Sequence, residues 1–111
     1  LETPNEKLVK RSLEIIKREL SNSLFNVEML IELLGISRVK CYRIFKEILN
    51  QSPSDVITSL RFQKAAFLLE NKSLNVSEVS FECGFNDPKY FAKSFKKHFG
   101  LSPKEYKKSK S

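Results

Sequence analysis

Two stretches of this sequence set basic side chains at helical spacing with no acid among them. Val39, Tyr42, Arg43 and Lys46 fall at i, i+3, i+4 and i+7, and Lys89, Ala92, Lys93 and Lys96 repeat that spacing 50 residues later. An exposed helical face with no other duty mixes signs to gain i, i+4 pairs. Residues of these types suit duplex DNA. An arginine such as Arg43 can donate two hydrogen bonds to guanine O6 and N7, Tyr42 and Val39 can meet thymine methyls, and lysines neutralise phosphates or reach a guanine. The second stripe is poorer in directional donors, because lysine is a point charge and Ala92 offers an apolar touch alone, so it is expected to act more through charge and shape.

Other chemistries find little support. The single His98 and the widely separated Cys41 and Cys83 match no metal spacing and no nucleophile triad, so no catalytic residue, metal or cofactor is expected. Both cysteines are expected to be free core thiols, and His98 a half-buried helix residue. The chain carries 20 Lys and Arg against 13 Asp and Glu, a net charge of +7. Residues 1–35 carry a net −1, residues 36–70 a net +3 and residues 71–111 a net +5, so a polyanion should meet the later parts. No charge-free apolar run approaches the ~18 to 20 residues of a membrane span, and no signal-peptide pattern opens the chain, which makes cytoplasm the expected compartment. A start at Leu1 rather than Met suggests a segment of a longer protein.

The elements that must position these stripes read as helices throughout, with 3.6-residue periodicity and no convincing strand. Thr3, Pro4 and Glu6 form a capping signature that opens a helix to about Leu20, with Val9, Leu13, Ile16 and Leu20 on its inner face. Asn26 caps a short helix that Gly35 stops, and Ser37 caps the next, which runs to about Leu49 with Cys41, Ile44, Phe45, Ile48 and Leu49 inward. Ser52 and Pro53 launch a long helix to about Glu70, ~27 Å at ~1.5 Å per residue, and Asn71, Lys72 and Ser73 break it. Asn75 with Glu78 opens a short helix ended by Gly84. Asp87 and Pro88 start another to about Phe99, with Phe91, Phe95, His98 and Phe99 inward, and Ser102 and Pro103 begin the last.

An internal repeat organises these seven helices. Asn26 pairs with Asn75, Val27 with Val76 and Gly35 with Gly84 at an offset of 49, whereas Phe45 pairs with Phe95 and Pro53 with Pro103 at 50, so the second turn holds one extra residue. The expected fold is all-α: two helix-turn-helix subdomains, residues 5–52 and 71–108, joined by a central linker helix over 53–70. Flanking turns on that linker could bring the two stripes near the ~34 Å spacing of successive major grooves.

From Gly84 onward the run Gly84, Phe85, Asn86, Asp87, Tyr90, Phe91, Phe95, Phe99, Gly100, Ser102, Pro103 and Tyr106 resembles the DNA-binding domain of the AraC/XylS family of bacterial transcription regulators, and the likeness extends over about residues 8 to 107. The resemblance implies that the third and sixth helices enter consecutive major grooves. Base reading then falls on Val39, Tyr42 and Arg43 and on Lys89, Ala92 and Lys93. Phosphate contacts fall on Ser37, Arg38, Lys40, Lys46, Asn86, Tyr90, Lys96 and Lys97. The sequence departs from the family pattern at Ile31 and Ser80, where a small alanine is customary, and at Cys41, where leucine is common. The run from Asn86 to Phe91 is most similar to the C-terminal output domain of hybrid two-component regulators, which implies attached upstream sensor or receiver domains, double-stranded DNA and RNA polymerase as partners, and no membrane contact by this domain. The competing expectation is a basic helical module for protein, RNA or an anionic membrane. It is disfavoured because the apolar faces are committed to a core and the nine Phe sit mostly at core spacing rather than on a stacking platform.

Overall fold

A computed structural model describes residues 1–71 and 73–111, and among them the regular elements are seven helices and no strands. These are α1 (Pro4–Arg18), α2 (Val27–Leu34), α3 (Arg38–Leu49), α4 (Pro53–Leu69), α5 (Val76–Glu82), α6 (Pro88–Phe99) and α7 (Pro103–Ser109). Each starts on the cap its sequence announces. Thr3, Asn75 and Ser102 close reciprocal capping boxes with Glu6, Glu78 and Glu105, while Asn26, Ser37, Ser52 and Asp87 each accept one backbone N–H of the first turn. Those cap bonds also hold the Glu6 and Glu105 carboxyls below the usual carboxylate range.

The helices enclose two cores. Ile16, Leu30, Cys41 and Phe45 centre the first; Val79, Cys83, Phe91 and Phe95 centre the second. Helix α4 supplies both, giving Val56 and Ile57 to the first and Phe62, Ala65 and Leu69 to the second. A half of about 50 residues buries too little surface to stand easily alone, and a shared helix answers that shortage. The second core is a ring cluster. The Phe95 centroid lies 4.5 Å from Phe99, 5.6 Å from Tyr106, 5.7 Å from Phe91 and 6.2 Å from Phe62.

Some inward faces differ from the expectation. Helix α1 ends at Arg18, with Glu19 as its cap, and turns Val9, Ser12, Ile15 and Ile16 inward, leaving Leu13 half-buried. Ser12 is tolerated there because its hydroxyl donates to the Leu8 carbonyl at 2.7 Å. On α3, Ile48 and Leu49 are half-buried rather than core. On α6, His98 and Phe99 are exposed; His98 lies outside the core and stacks on the Phe62 ring at 4.8 Å. Glu70 is the cap of α4 rather than its last helical residue. After it, Asn71 accepts hydrogen bonds from the backbone and hydroxyl of Ser73, and Lys72, part of the expected break, lies outside the described residues. Cys41 and Cys83 are free and buried, one in each core, and burial raises both thiols, Cys83 to about 11.

Candidate nucleic-acid interface

Two short turns aim the basic helices. In the first, Gly35 adopts φ 67°, its N–H closing on the Ile31 carbonyl, and Ser37 then starts α3 by accepting the Lys40 N–H at 3.1 Å. In the second, Gly84 adopts φ 82°, the Phe85 N–H reaches the Ser80 carbonyl at 2.9 Å, and Asp87 starts α6 by accepting the Lys89 N–H at 3.0 Å. Between glycine and cap stand Ile36 in one turn and Phe85 and Asn86 in the other, which locates the extra residue of the repeat. Ser80 is fully buried, and Ile31, its counterpart in the repeat, is half-buried.

The outward stripes are where the periodicity puts them. Val39 is 77% exposed, Arg43 and Lys46 are exposed, and Tyr42 is half-buried; on α6, Lys89, Lys93, Lys96 and Lys97 are exposed, Tyr90 is 63% exposed and Ala92 is half-buried. Ser37, Lys40 and Asn86 are also at the surface. Arg38 is less free than the sequence suggests. It pairs with Glu28 from α2, its Nη2 donates to the Tyr42 hydroxyl at 3.2 Å, and its guanidinium carbon lies 4.8 Å over the Tyr42 ring. A cation expected on phosphate is thus held by an acid of the neighbouring helix, and it fixes the tyrosine beside it.

Asp55, in the first turn of α4, ties the stripes together. It borders a groove of about 520 Å³ with Tyr42, Arg43 and Lys46, and also a groove of about 670 Å³ with Tyr90, Lys93 and Lys97. Asp55 therefore lies between the Tyr42, Arg43 and Lys46 side of α3 and the Tyr90, Lys93 and Lys97 side of α6. Thr58 and His98 line the second groove as well. Glu28, Asp55, Thr58 and His98 are absent from the face as read from sequence, since each reaches it from another helix or from a stripe assigned to the core. Among the described residues, no group of His, Cys, Asp and Glu is arranged to hold a metal ion.

Residues 30–109 match the family model of a helix-turn-helix domain. The chain belongs to the AraC-type helix-turn-helix domains. An AraC-type likeness extends to solved structures. The C-terminal domain of AraT, a response regulator from Geobacillus stearothermophilus, superposes with a TM-score of 0.89 at 31% identity, over 96% of this chain and 88% of that one. The DNA-binding domain of AdpA, a global transcriptional factor in complex with a target DNA, superposes with a TM-score of 0.80 at 29% identity, over 97% of this chain and 93% of that one. Histidine kinase P4 of Formosa agariphila is 35% identical over 102 residues, 92% of this chain but 7% of the relative. Other curated relatives are spanned by this AraC-type chain over about a third of their length or less. Relatives named as transcriptional regulators include proteins of Haemophilus influenzae and Bacillus subtilis.

Proposed function

We propose that this chain binds double-stranded DNA sequence-specifically, with α3 in one major groove and α6 in the next, and regulates transcription as the output module of a larger signalling protein. The observation that carries this reading is that Asp55 borders both the groove lined by Tyr42, Arg43 and Lys46 of α3 and the groove lined by Lys93 and Lys97 of α6. The molecule is 43 Å along its longest axis, enough to span the ~34 Å between successive major grooves on one side of a duplex. Base reading is assigned to Val39, Tyr42 and Arg43 on α3 and to Lys89, Ala92 and Lys93 on α6. Ser37, Arg38, Lys40, Lys46, Asn86, Tyr90, Lys96 and Lys97 hold phosphates. Arg38 exchanges Glu28 for a phosphate oxygen on binding.

The division at 5–52, 53–70 and 71–108 is the working unit of this reading, with α4 belonging to both halves. Attachment to sensor or receiver parts is supported by the small fraction of Histidine kinase P4 that the chain spans. Cytoplasm is the compartment and RNA polymerase the second partner; no helix among the described residues is long and apolar enough to cross a membrane. Selection of duplexes from a random library by this chain tests the proposal. The expected product is two short blocks about one helical turn apart, bound with a log-log salt slope equal to about four to eight neutralised phosphates at ~0.9 each. Enrichment of no sequence, or a flat salt response, would sink it.

A further inference from the structure

Helix α4 carries two cations three residues apart, one hydrogen-bonded to each half of the molecule. Arg61 is half-buried, and its Nη2 donates to two carbonyls of the loop between α1 and α2, Asn22 at 2.9 Å and Phe25 at 3.2 Å. Lys64 donates to the Glu82 carbonyl at the end of α5, 2.9 Å away. The second helix-turn-helix then closes on the same guanidinium. At Gly84, φ 82°, a Cβ would stand 2.4 Å from the Leu20 carbonyl oxygen and 2.9 Å from Arg61 Nε. Real Cβ atoms do not approach backbone so closely, so only glycine lets this turn seat against the first half. Three segments therefore meet at one side chain: the end of the α1 region, the middle of α4, and the turn that aims α6.

The joint is costly. Arg61 Nε is buried without an acceptor, and burial lowers the proton affinity of the guanidinium. A leucine or methionine would fill the space without that cost. A planar fork on two fixed carbonyls supplies direction, which apolar packing lacks, since apolar surfaces slide and rotate at little expense.

We propose that the Arg61 and Gly84 joint sets the angle and separation of the two reading helices, so that Arg61, which touches no base, is the positioning residue for the spacing of the two DNA blocks. This rests on the DNA-binding reading above. In the free protein the joint holds α3 and α6 at one separation. Without it the halves remain folded on α4 but adopt a range of relative orientations.

Two measurements test this, the first without DNA. Spin labels are placed on exposed positions of the two halves through Glu47→Cys and Lys104→Cys; the buried Cys41 and Cys83 do not compete. The parent should give one narrow distance distribution. Arg61→Met should broaden or shift it while helix content by circular dichroism is unchanged, and Arg61→Lys, able to reach one carbonyl, should fall between. Should Arg61→Met fail to fold, Arg61→Lys and Gly84→Ala carry the test. A distribution as narrow and as centred in the variants as in the parent overturns the joint.

The second measurement uses the best duplex recovered from the random library and the same duplex with one base pair inserted between the blocks. The parent should lose about tenfold or more on insertion, an effect comparable with a mismatched base pair. Arg61→Met should lose less than about threefold while binding a one-block duplex as the parent does. A variant that keeps the parent's insertion penalty also overturns the joint. If the parent prefers no duplex, the DNA reading falls, and the spin-label distances still decide on Arg61.

Discussion

The first helix-turn-helix is held mainly by aliphatic side chains such as Ile16, Leu30 and Ile44, with Phe25 and Phe45 among them, and presents Val39, Tyr42 and Arg43. The second is held by rings, Phe62, Phe91 and Phe95 with Phe85 and Tyr106 at the edge, and presents lysines around Ala92. The second core is built from fewer buried residues than the first, and a ring buries more apolar area per residue than an aliphatic chain. The outward difference follows a separate logic. Arg43 and Tyr42 have directional groups, and Tyr42 is held by Arg38, which under the proposed DNA reading assigns discrimination to the first half. Lysines on flexible stems, facing outward from a rigid aromatic block, are arranged to grip.

The largest test of that contrast is Phe95→Ala. Removing a ring packed on four others should cost about 3 to 5 kcal/mol. Hydrogen exchange should then show α5, α6 and α7 losing protection while α1 to α3 keep most of theirs. Equal loss across all seven helices would mean that the cores fold as one and that the contrast is only compositional. Next comes Arg43→Ala against Lys96→Ala, which remove the same charge. The first should cost about 1 to 3 kcal/mol on the selected duplex and relax choice at one base position; the second should weaken all duplexes alike and lower the salt slope by about one. Identical losses for Arg43→Ala on selected and random DNA would show that the first half also only grips.

A smaller effect is expected at Asp55, the carboxylate between the stripes. Asp55→Asn should raise affinity for selected and random duplexes alike by about two- to fivefold at low salt, mainly through the on-rate. An unchanged affinity would place Asp55 away from the phosphates. A final measurement separates the cores by pH. Cys83 loses its proton in the folded protein only at about 11, above the ordinary thiol value, so its contribution is complete below about pH 9 and is lost as pH rises from there through 11. Urea midpoints should therefore fall over that range, less steeply in Cys83→Ala. Parallel pH curves for the two proteins would deny the thiol its part.

Caps and turns were legible in the sequence because capping is local: Thr3 with Glu6, Asn26, Ser37, Asn75 with Glu78, and Gly35 and Gly84 each act within a few residues of themselves. The stripes on α3 and α6 were legible for the same reason, since exposure follows from period. What failed depended on neighbours. A buried serine, Ser12, satisfies itself on Leu8 and so hides from an apolar pattern. His98 sits at core spacing on α6 but is exposed, stacked on the Phe62 ring from outside the core. Glu28 reaches Arg38 from a different helix, Asp55 enters the face from the start of α4, and Arg61 reads in sequence as one more basic residue. Contacts between elements distant in the chain carry no mark in its periodicity.

Helix α4 runs unbroken from Val56 and Ile57 in one core to Phe62, Ala65 and Leu69 in the other. One residue added between Ile57 and Phe62 would advance the second half by about 1.5 Å and turn it by about 100°. The shift in distance is trivial for a duplex, but the rotation would swing the lysines of α6 off the side that Arg43 occupies. Phase, rather than reach, is what the length of α4 controls. Seven added residues, close to two full turns, would restore the phase to within about 20° but lengthen the molecule by about 10 Å, roughly three base pairs. The helix is thus a gear tooth count: its own period has to mesh with that of the double helix, and its length can change by whole turns or not at all.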